Sequence, residues 1–316
     1  MGRFCRLAAR SFRQEKGVTL AADRTADIAG LQGQLESAGY VAEASLAATL
    51  LLTLDLGRPL LVEGDAGVGK TEIAKAFASV RSARLIRLQC YEGLDVHAAM
   101  YEWNYQRQLL AIKLLEQDDR PLAAKEKDIF SETYLLKRPL LEAISCDEPP
   151  VLLIDEVDRA DEAFEAYLLE LLSDFQISIP ELGTVHAITR PLVIITSNGT
   201  RELSDALRRR CLYQFIEYPD FAKELAIVKI KAPQAADELA RQVVAFVQQV
   251  RRMELQKKPG IAETLDWTAA LLRMGITVIN DDGAERIIDT LSALIKTRDD
   301  RTGFTPDVVA RIAATC

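Results

Sequence analysis

Histidine is almost missing from this sequence. His97 and His186 are the only two, which disfavours histidine-rich metal sites and most schemes that use imidazole to activate a nucleophile. Cysteine is sparse and poorly spaced. Cys5, Cys90, Cys146, Cys211 and Cys316 are odd in number, scattered and without a C-x-x-C pair, so neither a disulfide framework nor a zinc site is expected, and a reducing cytoplasm fits. No apolar run reaches the ~18–20 residues of a membrane span. The longest, Ala44 to Leu54, has 11 residues and is interrupted by Ser45, Thr49 and Thr53. Positive charge is also in deficit: the net charge is −8 and the pI about 5.1. That balance disfavours nucleic acid as a partner. The exception is the start of the chain, where Arg3, Arg6, Arg10, Arg13 and Lys16 face one acid, Glu15. Residues 1–24 read as a basic, flexible arm, with a targeting segment as the alternative for the basic stretch.

What the chain does contain is ordinary globular chemistry. It has 316 residues, 49% of them hydrophobic and 27% charged, enough for one large core and a smaller domain. One stretch organises the rest. Gly64, Asp65, Ala66, Gly67, Val68, Gly69, Lys70 and Thr71 fit the phosphate-loop pattern G-x-x-x-x-G-K-[ST]. Before it, Leu60, Leu61, Val62 and Glu63 read as a buried strand; after it, Thr71 to Phe77 read as a helix. A strand, a glycine-rich turn and a helix N-terminus make an anion site, because free N–H groups point outward and the helix dipole favours negative charge. Lys70 is expected on the β- and γ-phosphates, and the Thr71 hydroxyl on Mg²⁺.

Residues 25 to 56 read as helical, with a turn near Ser37-Ala38-Gly39. Four further apolar runs have strand length: Leu85 to Leu88, Val151 to Ile154, Leu192 to Thr196 and Leu212 to Ile216. Strands alternating with helices predict an α/β fold with a five-stranded parallel sheet. The stretch 91–149 is long for one crossover and reads as a helix carrying an insertion. Residues 175–188 suggest a hairpin around Glu181-Leu182-Gly183-Thr184. Beyond Tyr218-Pro219-Asp220 no strand is convincing. Ala235 to Leu255, Ala262 to Met274 and Ala284 to Thr297 read as helices, which makes 25–218 an α/β core and 219–316 a small all-helical domain.

Three sites downstream of the loop carry chemistry. Asp155 and Glu156 end the Val151 run, where carboxylates at a buried strand tip face the ligand crevice. Asp155 is expected to partner Mg²⁺, and Glu156 to orient or deprotonate a water. Asn198 follows the next strand and can hydrogen-bond both a water and a phosphate. Arg208, Arg209 and Arg210 close a helical stretch. They read either as a solvated basic helix end or as an arginine finger that reaches a neighbouring subunit. Their order after the other motifs favours the finger, with Arg210 first and Arg209 second. Trp103 and Trp267 read as packing anchors, and His97 and His186 as surface or loop residues. Phe164, Tyr167, Leu168, Leu171, Leu172 and Phe175 read as a core stripe.

The order GDAGVGKT, VLLIDEVDRAD, ITSNGTRELSDALRRRC and a helical tail resembles the AAA+ ATPases. The phrases RPLLVEGDAGVGKTEIAKAFA, QCYEGLDVHAAMYEWNYQRQ, IPELGTVHA and KPGIAETLDWTAALL are similar to the MoxR family, in the branch associated with maturation of molybdenum-containing carbon monoxide dehydrogenase. The resemblance covers roughly residues 30 to 300. It implies a homo-oligomer, as a hexameric ring with ATP bound between subunits. It also implies an ATP-hydrolysing chaperone or remodeller, a partner with a von Willebrand factor A domain and a metalloenzyme client. By motif position, Gly64 to Thr71 is Walker A, Asp155 and Glu156 are Walker B, Asn198 is sensor 1, and Arg210 or Arg209 is the finger. One departure stands out. Relatives carry a sensor-2 arginine at the start of the third lid helix, where this chain reads Gly260-Ile261-Ala262-Glu263-Thr264; Arg273, or an arginine of another subunit, is the expected substitute. Two alternatives remain: a nucleotide-gated interaction module with little turnover, and a clamp-loader-like ATPase acting on DNA.

Overall fold

The computed structural model describes residues 20–115, 121–280 and 283–316. The basic arm read at the N-terminus lies outside the described residues as far as residue 19. Two helices open the fold, α1 (Leu20–Ser37) and α2 (Ala44–Leu56), with Gly39 at φ 82 in the expected turn.

The sheet follows from five apolar runs. β1 (Leu60–Gly64), β2 (Leu85–Gln89), β5 (Val151–Asp155), β8 (Leu192–Ser197) and β9 (Leu212–Ile216) pair in parallel, in the order β2-β5-β8-β1-β9. Successive residues of a strand point to opposite faces. Leu61, Leu152, Ile154, Val193 and Ile195 accordingly join one core cluster, and Leu60, Val62, Val151, Leu153 and Ile194 join the other. Burial on both faces is why the central strands β1, β5 and β8 read as continuous apolar runs, whereas the edge strands β2 and β9 alternate between covered and exposed residues. Helices α1, α2 and α3 (Lys70–Val80) contribute to the second cluster. The first is filled by α7 (Pro139–Ile144) and α8 (Glu162–Asp174).

The 91–149 stretch departs from a helix with a simple insertion. It holds α4 (Val96–Met100), β3 (Tyr101–Trp103), α5 (Tyr105–Leu115), α6 (Leu122–Ile129) and β4 (Leu135–Lys137). β3 and β4 pair antiparallel, Trp103 opposite Leu135. Two three-residue strands so far apart in sequence leave no local pattern to read. The expected hairpin consists of β6 (Gln176–Ile179) and β7 (Gly183–His186), with Ile179 opposite Gly183. Its turn is tighter than the sequence suggested, because Gly183 and Thr184 belong to the strand. On α8, Tyr167 is 47% exposed and is not part of the core stripe; the other members pack inward.

A short helix, α9 (Asp205–Arg210), precedes β9. After it come α10 (Phe221–Lys231), α11 (Asp237–Arg252), α12 (Ile261–Arg273), α13 (Ala284–Thr290), α14 (Arg298–Thr302) and α15 (Pro306–Ala313). The helix expected over 284–297 ends at Thr290, and buried Leu291, Leu294 and Ile295 continue in turns. This second core centres on Trp267, fully buried, with Phe246 at 4.8 Å between ring centroids. The indole N–H donates to Thr290 Oγ1 at 2.8 Å.

Candidate functional site

The turn Gly64–Gly69 leaves β1 and enters α3 at Lys70. Gly64 is required by close approach: a Cβ there would sit 2.2 Å from the Ile216 carbonyl oxygen of β9. Lys70 is 6% exposed. Its ammonium folds back, donating to the Gly64 and Asp65 carbonyls at 2.7 Å each and to Asn198 Oδ1 at 2.8 Å. Burial pulls the Lys70 pKa below its ordinary value, and the carboxylates of Asp158, Asp155, Asp65 and Glu156 only partly counter that. The pocket therefore holds a poorly solvated cation among carbonyls that an anion would replace.

Asp155, Glu156 and Asn198 lie at the carboxyl ends of β5 and β8, beside the end of β1. The Thr71 hydroxyl donates toward Asp155 at 3.1 and 3.2 Å. Thr196 Oγ1 donates to Asp155 Oδ1 at 2.6 Å. A hydroxyl and a buried carboxylate are the hard oxygen donors Mg²⁺ takes when substrate phosphates and waters complete its shell. Glu156 sits in the left-handed region, φ 56, a backbone state that costs a non-glycine residue roughly 1 kcal/mol or more. Its amide donates to Thr196 Oγ1 at 2.9 Å. Its carboxylate accepts from Gln89 at 3.1 Å, Asn198 Nδ2 at 3.3 Å and Arg159 Nε at 2.9 Å.

Several of these partners were not legible in the sequence. Arg87 of β2 donates to Asp155 Oδ2 through Nε at 3.1 Å and Nη2 at 2.6 Å. The available signal was an arginine amid an apolar strand. Asp158 accepts from the Asn198 amide at 3.1 Å and from the Thr200 amide and hydroxyl at 2.9 and 2.6 Å. Burial acts to raise the Asp158 carboxyl, but those hydrogen bonds outweigh it and hold its pKa below the ordinary value.

The cluster lines a cavity of about 410 Å³ that includes Tyr40 and Val41 on the core side and Ile227, Ile261 and Leu265 from the helical region. Ile261 donates its N–H to the Gly67 carbonyl at 2.8 Å, so α12 begins directly on the glycine loop. Arg273 ends that helix, ~18 Å further along at 1.5 Å per residue. It cannot reach the pocket of its own chain. Lys223 and Lys231 of α10 do line the pocket.

The three arginines separate. Arg208 bonds Glu63 at 3.2 Å, with Tyr213 donating to the same carboxylate at 2.8 Å. Arg209 is 82% exposed at its side chain and meets only Asp205, at 3.6 Å, among the described ion pairs. Arg210 donates to Ser173 Oγ at 2.7 Å and to the Ala206 carbonyl at 3.2 Å. Neither Arg209 nor Arg210 lies in the cavity. His186 is exposed, and the His97 side chain lies outside the described residues.

A glycine loop after β1, with carboxylate and amide side chains at the tips of the two neighbouring parallel strands, defines a P-loop AAA+ core followed by a helical C-terminal region. Residues 59–211 match the family model described as AAA domain (dynein-related subfamily), and that stretch is an AAA domain. The gas vesicle ATPase GvpN1 of Halobacterium salinarum is 24% identical over 211 residues, covering 63% of this chain and 58% of its own length. An uncharacterized Staphylococcus aureus protein is 25% identical over 209 residues, covering 64% and 72%. Among solved structures, the Holliday junction branch migration motor RuvB of Thermotoga maritima aligns over 85% of this chain and 71% of its own, at 20% identity and a TM-score of 0.43.

Proposed function

We propose that the protein binds and hydrolyses ATP with Mg²⁺ and uses the cycle to remodel a client protein, as a MoxR-type AAA+ ATPase. The observation that carries this reading is the convergence of Lys70, Thr71, Asp155, Glu156 and Asn198 on one cavity at the tips of three adjacent strands. Mg²⁺ would be held by the Thr71 hydroxyl, with Asp155 behind it, and would neutralise charge on the transferring phosphoryl group. The glycine-loop amides and Lys70 would bind the phosphates once Lys70 leaves the Gly64 and Asp65 carbonyls. Glu156 would accept a proton from the attacking water, with Asn198 orienting that water. Arg210 or Arg209 would act on the neighbouring subunit's nucleotide.

The test is phosphate release by the assembled protein. Lys70→Ala is expected to abolish nucleotide binding. Glu156→Gln is expected to keep binding and lose turnover by ~10²-fold or more, the order of a lost general base. Wild-type turnover by Glu156→Gln would end the assignment.

The client is read more finely from the resemblance: a metalloenzyme of the carbon monoxide dehydrogenase type, with a von Willebrand factor A protein as partner and a hexameric ring as the working form. Co-purification with a von Willebrand factor A protein tests it. A second reading, a nucleotide-gated interaction module with little turnover, is favoured by two observations: Glu156 is ion-paired to Arg159, and α12 places no arginine in the pocket. Nucleotide binding without phosphate release in the wild type would select it.

A further inference from the structure

We infer that Arg58 is a positioning residue for the Arg209–Arg210 pair and joins that pair, through β1, to the phosphate loop of its own chain. The inference rests on reading those arginines as a finger that serves a neighbouring subunit.

The contact is a clasp. Arg58 Nε donates to the Arg210 carbonyl at 3.1 Å, and Nη2 donates to the Arg209 carbonyl at 2.5 Å and the Cys211 carbonyl at 3.2 Å. The next residue, Pro59, accepts the Leu212 N–H at 2.8 Å. Two consecutive residues therefore hold four consecutive ones, 209 to 212, from 150 residues away in sequence. All three Arg58 bonds go to main-chain carbonyls, so they fix where the chain runs.

That help is needed because α9 has only six residues. A helix this short has almost no stability of its own, and its last carbonyls have no partner within it. The planar guanidinium, with several donors in one fork, can serve three converging carbonyls; an ammonium is a single point charge. Arg58 also stands at the head of β1, whose other end is Gly64. The finger helix is thus referenced to the same strand that carries the glycine loop. A guanidinium that is displaced by about 1 Å from a developing charge loses on the order of 10²-fold in rate, so a small release of the clasp is enough to be read kinetically.

The experiment uses the full chain carrying Arg58→Ala or Arg58→Lys, with Arg209→Ala and Arg210→Ala alongside. It measures kcat and KM for ATP, the affinity for a fluorescent ADP analogue, and melting temperature. Arg58→Ala is expected to lose ~10- to 100-fold in kcat with nucleotide affinity nearly unchanged, the signature of an interaction felt only in the transition state. Arg58→Lys should fall between it and wild type. Mixing Arg58→Ala with Lys70→Ala subunits should restore turnover, because the second variant supplies an undisturbed finger and the first an intact pocket. A residue that merely supports the fold would lower binding and turnover together and would show no such rescue. Wild-type kcat in Arg58→Ala, while Arg209→Ala or Arg210→Ala is impaired, would overturn the inference and leave the finger standing. Wild-type kcat in both finger variants would instead remove the finger, and the inference with it. Should Arg58→Ala not fold, the split between kcat and KM in Arg58→Lys decides.

Discussion

Asp158 fixes where Asn198 sits, and its carboxylate acts on Lys70 of the glycine loop as well. Its two oxygens take three hydrogen bonds from the segment just beyond β8, and the side chain is 3% exposed. Hydrogen bonds to a buried charge are worth more than neutral ones, and donors left without a partner cost their desolvation. Asp158→Ala is therefore expected to destabilise the chain by ~2–4 kcal/mol and to lower turnover by loosening Asn198. The sign of the pH dependence follows from the direction of the shift. The carboxyl titrates below its ordinary 3.8 in the folded chain, so its contribution is complete above that ordinary value and is lost as pH falls through the lower, folded one. Denaturant melts of wild type and Asp158→Ala should differ by a constant amount at neutral pH, and the difference should shrink in acid. Equal stability at neutral pH would refute the role. Nothing in the sequence around Asp158 announced it, because its partners lie 40 residues downstream and no spacing rule joins them. The loop residues and Asp155 were legible for the opposite reason: a contiguous motif, and an apolar run that stops in two acids, are both local signals.

At the scale of elements, the glycine loop and α12 meet in direct backbone contact. Ile261 N–H bonds the Gly67 carbonyl, the Glu263 carboxylate accepts the Gly260 N–H at 3.0 Å, and Gly260 packs directly on Gly67. A Cβ on Gly260 would lie 2.7 Å from Gly67 Cα and 2.8 Å from its carbonyl oxygen. Both obstacles are backbone, and overpacking of that kind costs typically ~1–3 kcal/mol. Gly260→Ala should therefore push α12 off the loop and weaken nucleotide affinity by roughly tenfold, since 1.4 kcal/mol is a factor of ten. Titration with a fluorescent nucleotide checks this, and unchanged affinity would show that the contact is incidental to binding. The five sheet strands could be read from sequence to within a residue or two: burial on both faces leaves the central runs such as Val151–Ile154 unmistakable, and the edge strands β2 and β9 are short apolar-rich runs of strand length. The β3–β4 ribbon could not, since Trp103 and Leu135 meet only through tertiary pairing. The end of α13 at Thr290 was not legible, because Leu291, Leu294 and Ile295 keep an apolar spacing that a helix and a chain of turns share.

At the scale of the whole molecule, the sheet itself keeps Arg209 and Arg210 away from their own pocket. β9 runs parallel to β1, with Leu212 beside Leu60 and Ile216 beside Gly64. Arg209 and Arg210 precede the Leu212 end, and the glycine loop follows the Gly64 end. Five residues of strand at about 3.3 Å each separate the two by ~16 Å, more than an arginine side chain spans. If either arginine stabilises a transferring phosphoryl group, that group belongs to another copy of the chain. Turnover should then be a property of contacts between copies, and nucleotide binding a property of one. Diluting the protein through its assembly range should lower phosphate release per subunit and leave the nucleotide bound per subunit nearly constant. Arg210→Ala and Lys70→Ala, each inactive alone, should give turnover when mixed, because one offers a pocket and the other a finger. Light scattering on the same samples reports assembly independently, so a variant that fails to associate is not mistaken for one that lacks the finger. Specific activity that stays flat while scattering shows the copies separating would mean that a single chain completes its own site, and the trans reading of Arg209 and Arg210 would be wrong.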